Sequence, residues 1–125
     1  MRSEASYDRP GVVYHNNGAP GGDHGEYFAR LLTSLRNHLR QCPSLRIVVV
    51  CHGAGIDLLQ HRDDDPKLLE LRQNGIQFLA CQNTLNARSI DPGQLAGVGS
   101  EDVVESGVAT IAELQFQGFA YIHLS

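Results

Sequence analysis

A chain of 125 residues is about the length of one domain, and with 42% hydrophobic and 19% charged residues it carries enough apolar content to bury a core. A formal net charge of −4, with ten basic residues scattered along the chain, offers no basic patch for phosphates, so nucleic acid is not an expected partner. The longest purely apolar run, Ile47 to Cys51, is far short of the ~20 residues a membrane-spanning helix needs, so no membrane is expected either.

Residues 1–10 lack the apolar stretch and small-residue cleavage site of a secretory signal and read as a flexible arm before a single domain over 11–125. Gly11 to His15 is a short β-favouring run feeding a loop rich in Asn, Gly, Pro and Asp. From Glu26 to Arg40, Phe28, Leu31, Leu32, Leu35 and Leu39 recur at three-four spacing, which predicts an amphipathic helix stopped before Pro43. Leu45 to Cys51 has the pattern of a strand buried on both faces, ended by His52-Gly53-Ala54-Gly55. A short helix is expected over Ile56 to His61. Asp63-Asp64-Asp65-Pro66 then supplies the start of a second full helix, with Leu68, Leu69 and Leu71.

Asn74-Gly75 is a stop signal, and Ile76 to Cys81 follows as strand three. A helical turn over Thr84 to Ser89 is closed by Asp91-Pro92-Gly93. Val103-Val104 reads as a minimal fourth strand and Ser106 as an N-cap, with Val108, Ile111, Ala112 and Leu114 on the buried side of the next helix. Gly118 ends that helix, and Ala120 to Leu124 is the last strand. Alternation of strands and helices predicts an α/β fold: a mainly parallel sheet between two helical layers, joined by right-handed crossovers, with reactive groups at the C-terminal strand ends.

The chemistry is expected at Cys81. A thiol at a strand exit faces the first free N–H groups of the following turn, and their positive end favours a thiolate. Arg88 is close enough along the chain to add positive charge, while Asn83 and Thr84 offer neutral donors. His52, followed by Gly53 in a turn of small residues, suits a proton shuttle or a neighbour that tunes the thiolate. Ser106-Gly107 at the fourth strand exit reads first as a helix cap and second as an anion contact.

Cys51 reads as a core residue, and Cys42 as an incidental thiol in a surface connection. Three cysteines with no close pair make neither a disulfide framework nor a zinc site, which suits free thiols in a reducing cytoplasm. The remaining histidines lack metal-ligand spacing. No metal and no cofactor are expected; His52-Gly53-Ala54-Gly55 lacks the third glycine of a dinucleotide fingerprint.

Several stretches together resemble the DsrE/DsrF-like family, especially its small single-domain members: Val48 to Gly55, Asn74 to Leu85 with Ile90-Asp91, Ser106 to Ala109, and Gln115 to Ile122. The resemblance implies a five-stranded α/β/α sandwich in which strands two, three and four are neighbours, gathering His52, Cys81 and Ser106 at one edge of the sheet. It also implies sulfur relay, in which Cys81 accepts sulfane sulfur as a persulfide from a donor protein and passes it to an acceptor. Trimers or hexamers are implied as well, in keeping with the exposed-looking Phe116, Phe119 and Tyr121. The competing reading is an oligomeric module that binds a small anion or metabolite at the same strand ends, with Cys81 merely packed.

Overall fold

The structure is a computed structural model, and it describes residues 9–19, 21–60 and 65–124. Five strands form the sheet: β1 (Val12–Asn16), β2 (Ile47–Cys51), β3 (Gln77–Cys81), β4 (Val103–Val104) and β5 (Ala120–Ile122). Every pairing is parallel, and the strand order is β4-β3-β2-β1-β5. Among the described residues four α-helices accompany them: α1 (His24–Gln41), α2 (Pro66–Gln73), α3 (Gln82–Ala87) and α4 (Gly107–Phe116). Most of the expected arm, residues 1–8, and the Asp63-Asp64 part of the expected helix start lie outside the described residues.

The order explains the layers. The steps from β1 to β2 to β3 to β4 all move one way across the sheet, so right-handed crossovers put α1 and α2 on one face. The step from β4 to β5 runs back over the whole sheet, and α4 lands on the other. Side chains alternate accordingly. On the α1 and α2 side, Val12, Tyr14, Ile47, Val49, Cys51, Phe78 and Ala80 pack with Phe28, Leu31, Leu35, Leu68 and Leu71. The opposite side is thinner: Val13, Val48, Val50 and Leu79 meet Ile111 and Phe119.

Local signals start the helices where the sequence places them. Asp23 caps α1 by accepting from Glu26 N–H, Asp65 caps α2 with Pro66 at its first turn, and Ser106 caps α4 by accepting from Ala109 N–H at 3.2 Å. The short helix expected over Ile56 to His61 is instead a 3-10 turn that starts earlier, at Gly53–Leu58.

Three expectations are corrected. Val108 is 63% exposed, because the buried stripe of α4 runs through Gly107 and Ile111, and Val108 is turned about 100° from Gly107. Phe119 is buried in the second cluster, under the Arg46 guanidinium. Cys42 is buried too, at the C-cap of α1, where its N–H donates to the His38 carbonyl.

Candidate functional site

Cys81 is the last residue of β3 and the N-cap of α3, which begins with no connecting loop. Its side chain is 5% exposed. The Gly107 N–H, at the first turn of α4, donates to Cys81 Sγ at 3.3 Å. The sulfur therefore sits between the starts of two helices that lie on opposite faces of the sheet. Burial pushes the thiol up, but hydrogen bonds from the Gly107 N–H, from the Thr84 N–H and hydroxyl, and from the Asn83 N–H outweigh it, and the net shift is downward. Asn83 contributes least, as its N–H also donates to the Glu105 carbonyl at 3.2 Å.

Thr84 is fixed from the neighbouring strand end. Its Oγ1 accepts the Gly53 N–H at 2.9 Å, so its own proton is available to the sulfur. Gly53 has a φ of 55°, a left-handed conformation that glycine adopts without strain. Gly107 is required for a different reason. A Cβ there would lie 3.2 Å from His52 Cβ, 3.2 Å from Val50 Cγ1 and 3.3 Å from Cys81 Cβ. His52 and Cys81 thus flank the same backbone position.

Cys51, one strand away, is the opposite kind of thiol. It is wholly buried, and burial pushes it up to about 12 despite the Asn16 side-chain hydrogen bond. Asn16 is a buried polar residue that ties the ends of β1 and β2 together. Its Nδ2 donates to the Gly55 carbonyl at 3.2 Å and to Cys51 Sγ at 3.4 Å, its Oδ1 accepts from Gly18 N–H, and its carbonyl accepts from His52 N–H. Gly55 lies directly against the Asn16 carbonyl, where no larger residue fits.

The structure brings His52, Gly53, Asn83, Thr84 and Gly107 together around Cys81. It does not bring Arg88 or the Ser106 hydroxyl to the sulfur. Arg88 pairs with Asp57 at 3.1 Å and donates to the Gly53 carbonyl, bracing the turn that carries Gly53. Ser106 spends its oxygen on its own helix as a cap.

One cluster escaped the sequence reading. His15 Nε2 meets His52 Nε2 at 2.5 Å with the ring planes 16° apart, and His15 Nδ1 meets the Tyr121 hydroxyl at 2.7 Å. The His123 ring lies 5.1 Å from that of His15. Burial first, then the neighbouring His52 and His123, lower His15 to about 4, and burial lowers His52. Among the described residues no group of three or more His, Cys, Asp or Glu is placed to hold a metal ion. No helix among them is long and apolar enough to cross a membrane.

A five-stranded parallel α/β sheet with a hydrogen-bonded thiol at a central strand end defines the class of this domain. The DsrE/DsrF-like family model matches residues 12–124, and the chain belongs to that family. Among solved structures it is similar to the protein of unknown function MTH1491 from Methanobacterium thermoautotrophicum, at 35% identity and a TM-score of 0.78, over 90% of this chain and 97% of that one. A search of curated proteins gives no match.

Proposed function

We propose that the protein is a persulfide carrier in which Cys81 accepts sulfane sulfur from a donor and releases it to an acceptor. The observation that carries this reading is the Gly107 N–H bond to Cys81 Sγ, joined by donors from Thr84 and Asn83. These groups favour a thiolate without a cationic partner, and the same N–H groups can hold the anionic terminal sulfur of a persulfide. The sulfur relay implied by the family resemblance adds support, and a cytoplasmic setting suits three cysteines that form no disulfide among the described residues.

Loading is a thiolate attack on the outer sulfur of a donor persulfide, and unloading is the same exchange with an acceptor thiol. One cysteine suffices if donor and acceptor supply the other thiols. Mass spectrometry of the native protein after exposure to a low-molecular-weight persulfide should find one added sulfur atom on Cys81. Cys81→Ser should fold and stay unloaded, while Cys51→Ser and Cys42→Ser load as wild type does. Sulfur uptake by Cys81→Ser, or none by wild type with any donor, would favour a second reading. That reading is an anion-binding or regulatory module, and the near-complete burial of Cys81 is the observation on its side.

A further inference from the structure

Arg72 stands in the last turn of α2, and the fold covers its guanidinium. The carbon of that group lies 5.3 Å from the centre of the Phe78 ring, and Gly97 closes on it from the loop before β4. A Cβ on Gly97 would meet Nη1, Nε and the carbon between them, and the guanidinium would have to swing away. Gly97 also has a φ of 62°, a left-handed conformation that glycine adopts without strain.

Burial of this charge is not matched by hydrogen bonds within the chain. Nη2 is buried without a hydrogen-bond partner, and among the described residues Arg72 forms no ion pair. Burial lowers Arg72 from the usual arginine range, opposed by Cys51 and Asp102. Near neutral pH the Cys51 thiol is protonated, which leaves Asp102 to favour the guanidinium. Asp102 is itself engaged, since Oδ1 accepts from Gln77 Nε2 at 2.9 Å and Oδ2 from the Gly99 N–H at 3.1 Å. Leaving a desolvated guanidinium donor unpaired costs free energy, which a partner from outside the chain would recover.

Arg72, Gln77, Phe78, Gly97 and Asp102 line one cleft of about 230 Å³. That is below the ~300 Å³ at which pockets for drug-sized molecules begin, so it suits a small metabolite. The planar fork of a guanidinium matches a carboxylate. Asp102 in the same cleft repels a doubly charged anion such as phosphate, yet its carboxylate keeps lone pairs for an ammonium group.

We infer that this cleft binds a small zwitterion of the α-amino-acid type, with the ligand carboxylate on Arg72 and its ammonium on Asp102. Gln77 positions Asp102 through its side-chain hydrogen bond, and Gly97 leaves the guanidinium its place. The cleft is distinct from the thiol site: Gln77 begins β3 and Cys81 ends it, about 13 Å away along the strand. Binding here stands apart from the persulfide-carrier reading and survives its failure.

Backbone amide NMR of the wild type, titrated separately with glycine, acetate and inorganic phosphate, tests the site. Glycine should shift the amides of Gln77, Gly97 and Asp102 and saturate, while acetate and phosphate should bind at least several-fold more weakly. Asp102→Asn removes the charge that selects the ammonium and should bring glycine and acetate to within about twofold of each other. Arg72→Met keeps an apolar stem over Phe78 and should weaken glycine binding by roughly tenfold or more. The site is overturned if glycine moves none of these amides, if phosphate binds as tightly as glycine, or if Arg72→Met still binds glycine as wild type does. Should Arg72→Met fail to fold, Asp102→Asn decides, and a glycine preference over acetate unchanged from wild type is equally fatal.

Discussion

The hydroxyl of Thr84 accepts the Gly53 N–H at 2.9 Å, so a residue from the exit of β2 decides which way a proton on α3 points. That proton faces Cys81 Sγ, and the arrangement assigns Thr84 a role in thiolate stability that its neighbour Arg88 does not share.

Thr84→Val removes the hydroxyl and keeps the shape. The thiol should become less acidic, and alkylation near neutral pH should slow several-fold, as expected for the loss of one hydrogen bond of about 1 kcal/mol. Arg88→Ala should leave the rate against pH unchanged, because Arg88 is engaged by Asp57 and the Gly53 carbonyl. Iodoacetamide kinetics on the two variants decide the matter, and a large effect of Arg88→Ala with none of Thr84→Val would reverse the assignment.

Gly107→Ala tests the close approach of three strand ends. The added methyl would sit 3.2–3.3 Å from atoms of His52, Val50 and Cys81, and relief requires α4 to move away from the sulfur. Stability should fall by about 1–3 kcal/mol, as for other overpacked sites. Cys81 should alkylate more slowly at neutral pH as the N–H bond lengthens. Thermal denaturation with the same alkylation assay reads both effects.

The two strand-end thiols have opposite consequences for stability. Burial raises the Cys51 thiol from its ordinary value to about 12, so folding favours its protonated form. That contribution is fully present below about pH 9 and is lost as pH rises toward 12. Cys81 is lowered, so its contribution is present above the unfolded pKa and is lost as pH falls through the folded one. Cys51→Ala should therefore flatten the alkaline fall in melting temperature, while Cys81→Ala should not. Denaturation scans from pH 7 to about 11 make the comparison.

Much of this architecture is legible in the sequence, and the failures share a cause. Periodicity in α1, the β-branched run of β2 and the caps at Asp65 and Ser106 are local signals, and each falls where local physics puts it. The surroundings of Cys81 were partly readable because Asn83 and Thr84 follow it directly. His52, Gly53 and Gly107 stood out as strand-exit residues, and the family resemblance was needed to place their strands side by side. His15 and Tyr121 were not readable at all: they are 106 residues apart, and only the position of β5 beside β1 unites them. Arg88 failed for the converse reason, since closeness along the chain said nothing of Asp57.

Helix α4 carries the prediction on assembly. Val108 is 63% and Phe116 90% exposed, and the exposed Ala109 adds to the apolar surface between them. A homo-oligomer formed through this surface is proposed, with a second copy as the occupant. Light scattering at micromolar concentration should give a multiple of 13.7 kDa, and Phe116→Glu should shift the protein toward that monomer mass. A monomeric wild type would rule the assembly out.

Gly107 lies 26 residues beyond Cys81 and belongs to the helix that closes the thinner face of the sheet. While the chain is being synthesised, the thiol emerges well before the N–H that acidifies it, and the β1–β5 pairing beside it spans nearly the whole sequence. Contacts of such long separation form late in folding. A chain whose α4 has not docked therefore lacks the Gly107 N–H bond to Cys81 Sγ and keeps only the donors that Asn83 and Thr84 supply from α3. On the proposed carrier reading, the full acidity of Cys81 is in this sense a reporter of completed folding.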